Sequence, residues 1–217
     1  MSTMPRIEQI DAMYRGEFQL PDGSVMPPPW EIVRPQPAVV ELTESGRLTG
    51  RVLDAGCGTG RHSAYLAEEG HGVTEVVGFD GSPTAIGLAR ERVQLPNVSF
   101  VVADATEMDG VDGPFDSVLD LGLFHMLDAT GQVAYARALA RVVRPGGTAY
   151  VVAFAHSVTP EVLRAAFGEG WQVPDPEPTF LYGKIPPGET PPGLDAVVDE
   201  ETGLSKIRAL VAAVTRA

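Results

Sequence analysis

Apolar residues gather in short unbroken runs along the middle of this chain, and the runs alternate with segments in which apolar positions recur every three or four residues. Val52-Leu53 leading into Asp54, Val73 to Phe79, Val98 to Ala103, Phe115 to Asp120 and Thr148 to Phe154 all have strand length. Ser63 to Glu69, Pro83 to Val93, Gln132 to Val143 and Pro160 to Phe167 carry the helical spacing. Runs without polar alternation predict strands buried on both faces, and their regular exchange with helices predicts β-α units around a parallel sheet, an α/β fold. Farther on, Trp171-Gln172-Val173 opens an extended stretch reaching Ile185, and Leu210 to Thr215 reads as a last strand. No internal repeat appears.

Proline separates this core from its covers. Of nineteen prolines, seven lie between Pro5 and Pro37, seven between Pro174 and Pro192, and five in the long middle. One domain over residues 1–217 is therefore expected, with an amino-terminal lid or arm over 1–45, a core over 46–172 and carboxyl-terminal strands over 173–217. Gly183 to Gly203, rich in proline, glycine and acids, reads as a partly ordered loop.

The chemistry sits where the runs end. The first closes in Asp54-Ala55-Gly56-Cys57-Gly58-Thr59-Gly60, an acid followed by glycines at every second position. Gly56, Gly58 and Gly60 remove Cβ atoms where backbone must lie flat against a ligand and permit positive φ in a tight turn. Nicotinamide and flavin folds also place a glycine-rich turn between strand and helix, but with G-x-G-x-x-G spacing and a pyrophosphate that Asp54 would repel. S-adenosylmethionine has no phosphate, carries a sulfonium and presents an ammonium that needs an acceptor. The second run ends at Asp80, followed by Gly81 and the helix start Ser82-Pro83. An acid there suits the vicinal hydroxyls of a ribose. The third ends at Asp104-Ala105, where a carboxylate can take the adenine amino group or simply begin a turn. Cys57, with no activating partner in view, reads as a small filler beside the cofactor.

On these pieces, with Phe115 to Asp120 and the turn Arg144-Pro145-Gly146-Gly147, the chain resembles the class I S-adenosylmethionine-dependent methyltransferases over residues 50–155. Tyr14-Arg15-Gly16-Glu17 and Pro28-Pro29-Trp30-Glu31-Ile32-Val33-Arg34-Pro35-Gln36-Pro37 further resemble the lid of the thiopurine, thiol and halide enzymes, and most nearly that of the actinobacterial heterocyclic toxin methyltransferases. Those relatives usually have glycine where Val33 stands. The resemblance implies a Rossmann-like seven-stranded sheet in the order 3-2-1-4-5-7-6, last strand antiparallel, with helices on both faces. It also implies S-adenosyl-L-methionine as cofactor. The implied acceptor is a hydroxylated or N-hydroxylated aromatic heterocycle or phenol, with a thiol or halide as the alternative; a non-catalytic cofactor-binding partner or regulator is the alternative of another class.

Composition narrows this further. A formal charge of −13 with scattered basic residues argues against a nucleic-acid partner and for a small molecule. One cysteine excludes an intramolecular disulfide and fits a reducing compartment. No membrane-length apolar stretch appears, and Met1 to Gln9 lacks an apolar signal region, so a cytoplasmic protein, monomer or homodimer, is expected. Asp109, Asp112, Asp116 and Asp120 invite a metal, but no His/Asp pair has ligand spacing and none is expected.

Leu121 to Leu127 follows the fourth run, where the transferable methyl should meet its acceptor, with Leu121 on the cofactor side. His125 there is a candidate general base or acceptor-orienting residue, with packing in a turn as the plain alternative; His156, after the fifth run, is a second candidate. His62 and His71 read as structural. Trp30 and Tyr14, beside the stiff Pro27-Pro28-Pro29, form either an aromatic wall over the methionine end of the cofactor or ordinary anchors, with Tyr14 turned to the acceptor. Phe124, Met126, Phe154 and Phe180 are candidates to line the acceptor pocket, although such residues are also common core; Tyr182 is a further one.

Overall fold

Each central run becomes a strand. The computed structural model describes residues 6–20, 23–185, 194 and 196–217. In chain order it has α1 (Ile7–Tyr14), α2 (Pro37–Glu44), β1 (Gly50–Ala55), α3 (Arg61–Leu66), β2 (Val73–Asp80), α4 (Pro83–Arg92), β3 (Val98–Val102), β4 (Phe115–Leu121), α5 (Ala129–Val142), β5 (Val143–Phe154), α6 (Pro160–Phe167), β6 (Trp171–Gln172), β7 (Glu177–Gly183), β8 (Ala196–Val198) and β9 (Ser205–Arg216). The sheet runs β3-β2-β1-β4-β5-β9-β6, with β1 to β5 parallel and β9 antiparallel to β5. This is the expected order, the last strand lying between the fifth and sixth. Among the described residues no helix is long and apolar enough to cross a membrane.

Alternate residues of the strands feed two cores. Leu53, Phe79, Val118, Val151 and Ala212 pack with Tyr135 and Leu139 of α5 and Leu163 and Phe167 of α6. Val52, Val76, Leu119, Val152 and Val211 pack on the other face with Ala38, Val39 and Leu42 of α2. Burial of these side chains contributes roughly 1.5 to 3 kcal/mol each. The stretch read as a lid or arm thus divides: α2 belongs to the core, while residues before it lie against the site.

Several boundaries differ from the pattern reading. α3 ends at Leu66, three residues short of Glu69. α5 starts at Ala129, because Asp128 Oδ1 accepts the Gly131 amide at 2.7 Å and caps the helix ahead of Gln132. The extended stretch from Trp171 is interrupted. Gln172 faces Thr215 and Glu177 faces Val211, so four partner steps on β9 oppose five here. The extra residue falls at Val173 to Pro176, where Pro174 and Pro176 have no amide to donate. β9 begins at Ser205, five residues before Leu210; this early half passes beyond Phe154, the last β5 residue it pairs, and joins β7 and β8. The loop expected over 183–203 contains β8; residues 186–193 and 195 of it lie outside the described residues.

Candidate active site

The parallel register brings the strand ends together. Ala55 pairs with Asp120 and Phe79 with Ala55, while Asp80 closes β2 against Val102. Asp54, Asp80 and Asp120 are all buried, and none has a salt bridge among the described residues. Burial pushes Asp54 up to about 6, opposed by the 2.6 Å bond from the Ser63 hydroxyl to its Oδ2. Burial pushes Asp120 to about 7 although its Oδ1 accepts the amides of Leu123 and Phe124 at 3.0 and 3.1 Å. The Tyr135 hydroxyl acts on this carboxylate but stands outside hydrogen-bond geometry, leaving Asp120 Oδ2 without a partner. Asp80 is also raised by burial, against amide bonds from Ser82 at 2.8 Å and Gly58 at 3.0 Å. Each of its oxygens retains a further lone pair for a ligand hydroxyl. Buried carboxylates without cations are costly, and this donor set suits a cationic nucleoside.

The turn between β1 and α3 has positive φ at Gly56, Gly58 and Gly60. A Cβ at Gly58 would lie 2.8 Å from the Tyr14 hydroxyl, so the aromatic wall rests directly on this turn. Trp30 Nε1 donates to Tyr14 Oη at 2.8 Å, and the two rings meet edge to face at 6.3 Å. Tyr14, expected toward the acceptor, therefore stands on the glycine turn with Trp30; the tie between the rings fixes both there. Thr59 Oγ1 donates to Glu31 Oε1 at 2.7 Å, with Arg61 and Arg92 near the same carboxylate. α1 extends this cover. Ile7 packs where a Gly81 side chain would stand, and Asp11 Oδ1 accepts from Ser82 Oγ at 2.5 Å and from the Thr84 amide at 3.1 Å. Ser82 Oγ in turn accepts the Ala85 amide, the expected cap of α4. Cys57 is buried, its thiol pushed well up by burial. Asp104 is exposed, and its Oδ1 takes both the amide and hydroxyl of Thr106, the turn geometry weighed as the alternative to adenine; Ala105 packs at the edge of a core.

Beyond β4, Asp120 accepts the amides of Leu123 and Phe124 at the start of the 3-10 turn Phe124–Met126 and so fixes its pose. Leu121 leads into it, and Leu123 packs on Gly56. His125 stacks on Phe154 at 4.4 Å, and Phe154 on His156 at 5.9 Å, making one run of stacked rings across the ends of β4 and β5. Burial, with His156 second, lowers His125 to about 4 from its ordinary 6.5, and its Nδ1 is buried without a partner. An ordinary imidazole titrates near neutrality, but this desolvated one stays neutral there. Phe124 is corrected. It is fully buried, stacked on Phe167 at 5.8 Å, and belongs to the core. Met126 is half-buried beside His125. Phe180 lies on β7 under the Lys206 ammonium, 4.1 Å away, and makes no ring contact with the His125 face. His62, half-buried and lowered by desolvation to about 4, accepts the Gln36 amide, and His71 meets the Tyr65 carbonyl, so both are tied to backbone. Asp116 binds Arg51 and Arg144 at the opposite end of β4. Among the described residues no group of three His, Cys, Asp or Glu side chains is placed to hold a metal. A shallow groove between α4 and β3, lined by Arg90, Leu95 and Phe100, lies away from all of this.

Pattern reasoning weighs Asp120 only as a metal ligand and does not single out Glu31, Asp11 or Ser63. Asp120 was within reach, since it repeats the acid-at-strand-end signature of Asp54 and Asp80; the others are placed by tertiary contact and carry no local signal.

Comparison with known proteins agrees with this geometry. A family described as a methyltransferase domain matches residues 52–147. The chain is 36% identical, over 81% of its length and 81% of the relative's, to a 2-heptyl-1-hydroxyquinolin-4(1H)-one methyltransferase of Mycobacteroides abscessus. The chain belongs to the class I S-adenosylmethionine-dependent methyltransferases. A solved structure from work on the conversion of a disulfide bond into a thioacetal group during echinomycin biosynthesis shares 33% identity with this methyltransferase, covers 97% of it and 92% of its own chain, and superposes with a TM-score of 0.78. The N-methyltransferase NodS of Bradyrhizobium japonicum, solved with S-adenosyl-l-homocysteine, shares the fold at 17% identity and a TM-score of 0.59, over 82% of this chain and 84% of its own.

Proposed function

We propose that this methyltransferase transfers its methyl group to an oxygen of a hydroxylated or N-hydroxylated aromatic heterocycle. The observation that carries the proposal is the stack of His125, Phe154 and His156 beside the turn that packs on Gly56. A planar acceptor extends such a stack of rings, with its hydroxyl toward the cofactor. The hydroxyquinolone activity of the Mycobacteroides relative supports the same acceptor class.

The residue roles follow from the site. Asp80 takes the ribose hydroxyls, Asp54 the ammonium, directly or through water, and Gly58 lets the backbone approach under the Tyr14–Trp30 wall. Bound S-adenosylmethionine supplies an electrophilic methyl on a sulfonium, so the chain's own tasks are alignment and exclusion of water. His125, neutral at pH 7 with one donor and one acceptor nitrogen, hydrogen-bonds the acceptor's oxygen in its hydroxyl or its ionised form and aims it.

A methylation screen of hydroxyquinolines, phenols, thiols and halides tests the acceptor class, with hydroxyquinolines expected to turn over fastest. For the best hydroxylated acceptor, His125→Ala should lower kcat/KM roughly 10- to 100-fold. The wild-type to variant ratio should stay constant from pH 6 to 9 for an orienting residue. A defect that shrinks as the acceptor ionises would instead assign proton removal to His125. A sulfur acceptor is the second reading, favoured by the 33% identity, across 97% of the chain, to the echinomycin-pathway structure; a thiol turned over far faster than any hydroxyquinoline would establish it.

A further inference from the structure

Gln36 precedes α2 at the position where a side chain ordinarily caps the helix, yet its side chain makes no such bond. It is 3% exposed and is committed elsewhere. Its Nε2 donates to the Tyr182 carbonyl at 2.7 Å, and its Oε1 accepts the Tyr182 amide at 2.8 Å. The amide side chain thus stands in for one residue of a neighbouring strand, on the side of β7 that faces away from β9. Two residues on, the Lys184 amide donates to the Pro29 carbonyl at 2.7 Å. Residues 29 and 36 therefore engage consecutive outward-pointing positions of the same segment.

The residues between them hold the cofactor turn. Trp30 bonds Tyr14 over Gly58, Glu31 accepts from Thr59, and the Val33 carbonyl accepts from Arg61 at 3.0 Å. The Gln36 amide itself donates to His62 Nε2 at 3.2 Å, on the helix that leaves the glycine turn. One short segment is tied at both ends to β7 and in its middle to the glycine turn.

We propose that Gln36 is a positioning residue that registers the cofactor lid against β7, so that order imposed at the glycine turn is transmitted to that strand. The inference rests on the cofactor reading of that turn. A pair of hydrogen bonds to the amide and carbonyl of one residue fixes both translation and direction of the lid along β7, which a single bond or an apolar contact does not. Transmission needs a contiguous set of contacts that the ligand stabilises, and the bonds at residues 29, 31, 33 and 36 form one.

Amide hydrogen exchange with S-adenosylhomocysteine tests this without any acceptor. In the wild type the ligand should slow exchange at 56–60, at 30–36 and also at Tyr182 and Lys184, the last two by roughly tenfold. In Gln36→Met the protection at 56–60 should remain while that at Tyr182 and Lys184 falls to less than about threefold; Gln36→Glu, which keeps the acceptor oxygen but not the donor, should fall between. Protection of Tyr182 and Lys184 that is absent in the wild type, or equal in wild type and variants, would overturn the proposal, and the wild-type arm decides even if a variant fails to fold. Calorimetry on the same samples separates the two readings: no S-adenosylhomocysteine binding by the wild type would overturn the cofactor reading itself.

Discussion

At the residue scale the site is governed by carboxylates that folding has stripped of water without supplying a cation. Asp80 shows the double duty this creates, since its two oxygens organise the turn through Gly58 and Ser82 while presenting their remaining lone pairs outward. Asp80→Ala should weaken S-adenosylhomocysteine binding by about 1 to 3 kcal/mol, and calorimetry on the folded variant measures it. Asp80→Asn should lose less, because it keeps one acceptor oxygen for either amide. An unchanged dissociation constant in Asp80→Ala would place the ribose elsewhere. His125 shows how far a residue's ordinary titration can mislead. Its position after the fourth run is readable from the sequence, but the Phe154 stack that desolvates it joins residues 29 positions apart.

At the element scale, local pattern serves well where one period dominates. The parallel strands and the α4 start at Ser82-Pro83 stand where the apolar runs and the capping pair put them. The early half of β9 escaped because Ser205-Lys206-Ile207-Arg208-Ala209 alternates polar and apolar and so resembles no buried run. α2 escaped because Pro35 and Pro37 at its start and its place beside the lid motif mask an apolar face that only the sheet completes. Phe124 belongs to the same lesson. An aromatic residue in a functional turn can point either way, and here the turn held by Asp120 sends it into the core under Phe167. Phe124→Ala should therefore destabilise the fold by about 3 to 5 kcal/mol, measured by urea unfolding. Phe124→Leu should recover much of that stability, an outcome a substrate-lining residue would not give.

For the whole molecule, the buried acids and histidines pull stability in opposite directions with pH. Asp120 ionises at about 7 when folded and near its ordinary 3.8 when unfolded, so the folded state holds the extra proton between those values. Its contribution is fully present below pH 3.8 and is lost as pH rises through 7. His62 and His125, held at about 4 against an ordinary 6.5, contribute above pH 6.5 and lose that contribution as pH falls through 4. Asp120→Asn keeps an oxygen for the Leu123 and Phe124 amides and removes the first effect alone. Its melting temperature relative to the wild type should climb between pH 4 and pH 8, with the variant ahead at pH 8 by roughly 5 °C or more in scanning calorimetry. Parallel melting curves would mean that Asp120 is already ionised throughout.

The lid's hold on Tyr182 and Lys184 also bears on how copies of the protein meet. Were residues 29–36 to lift, β7 would bare unpaired amides and carbonyls beside the exposed ring of Phe180, a template onto which a strand of another molecule can add. Such an opening would expose a sticky seam, and the formal charge of −13 sets like molecules repelling one another as they approach it.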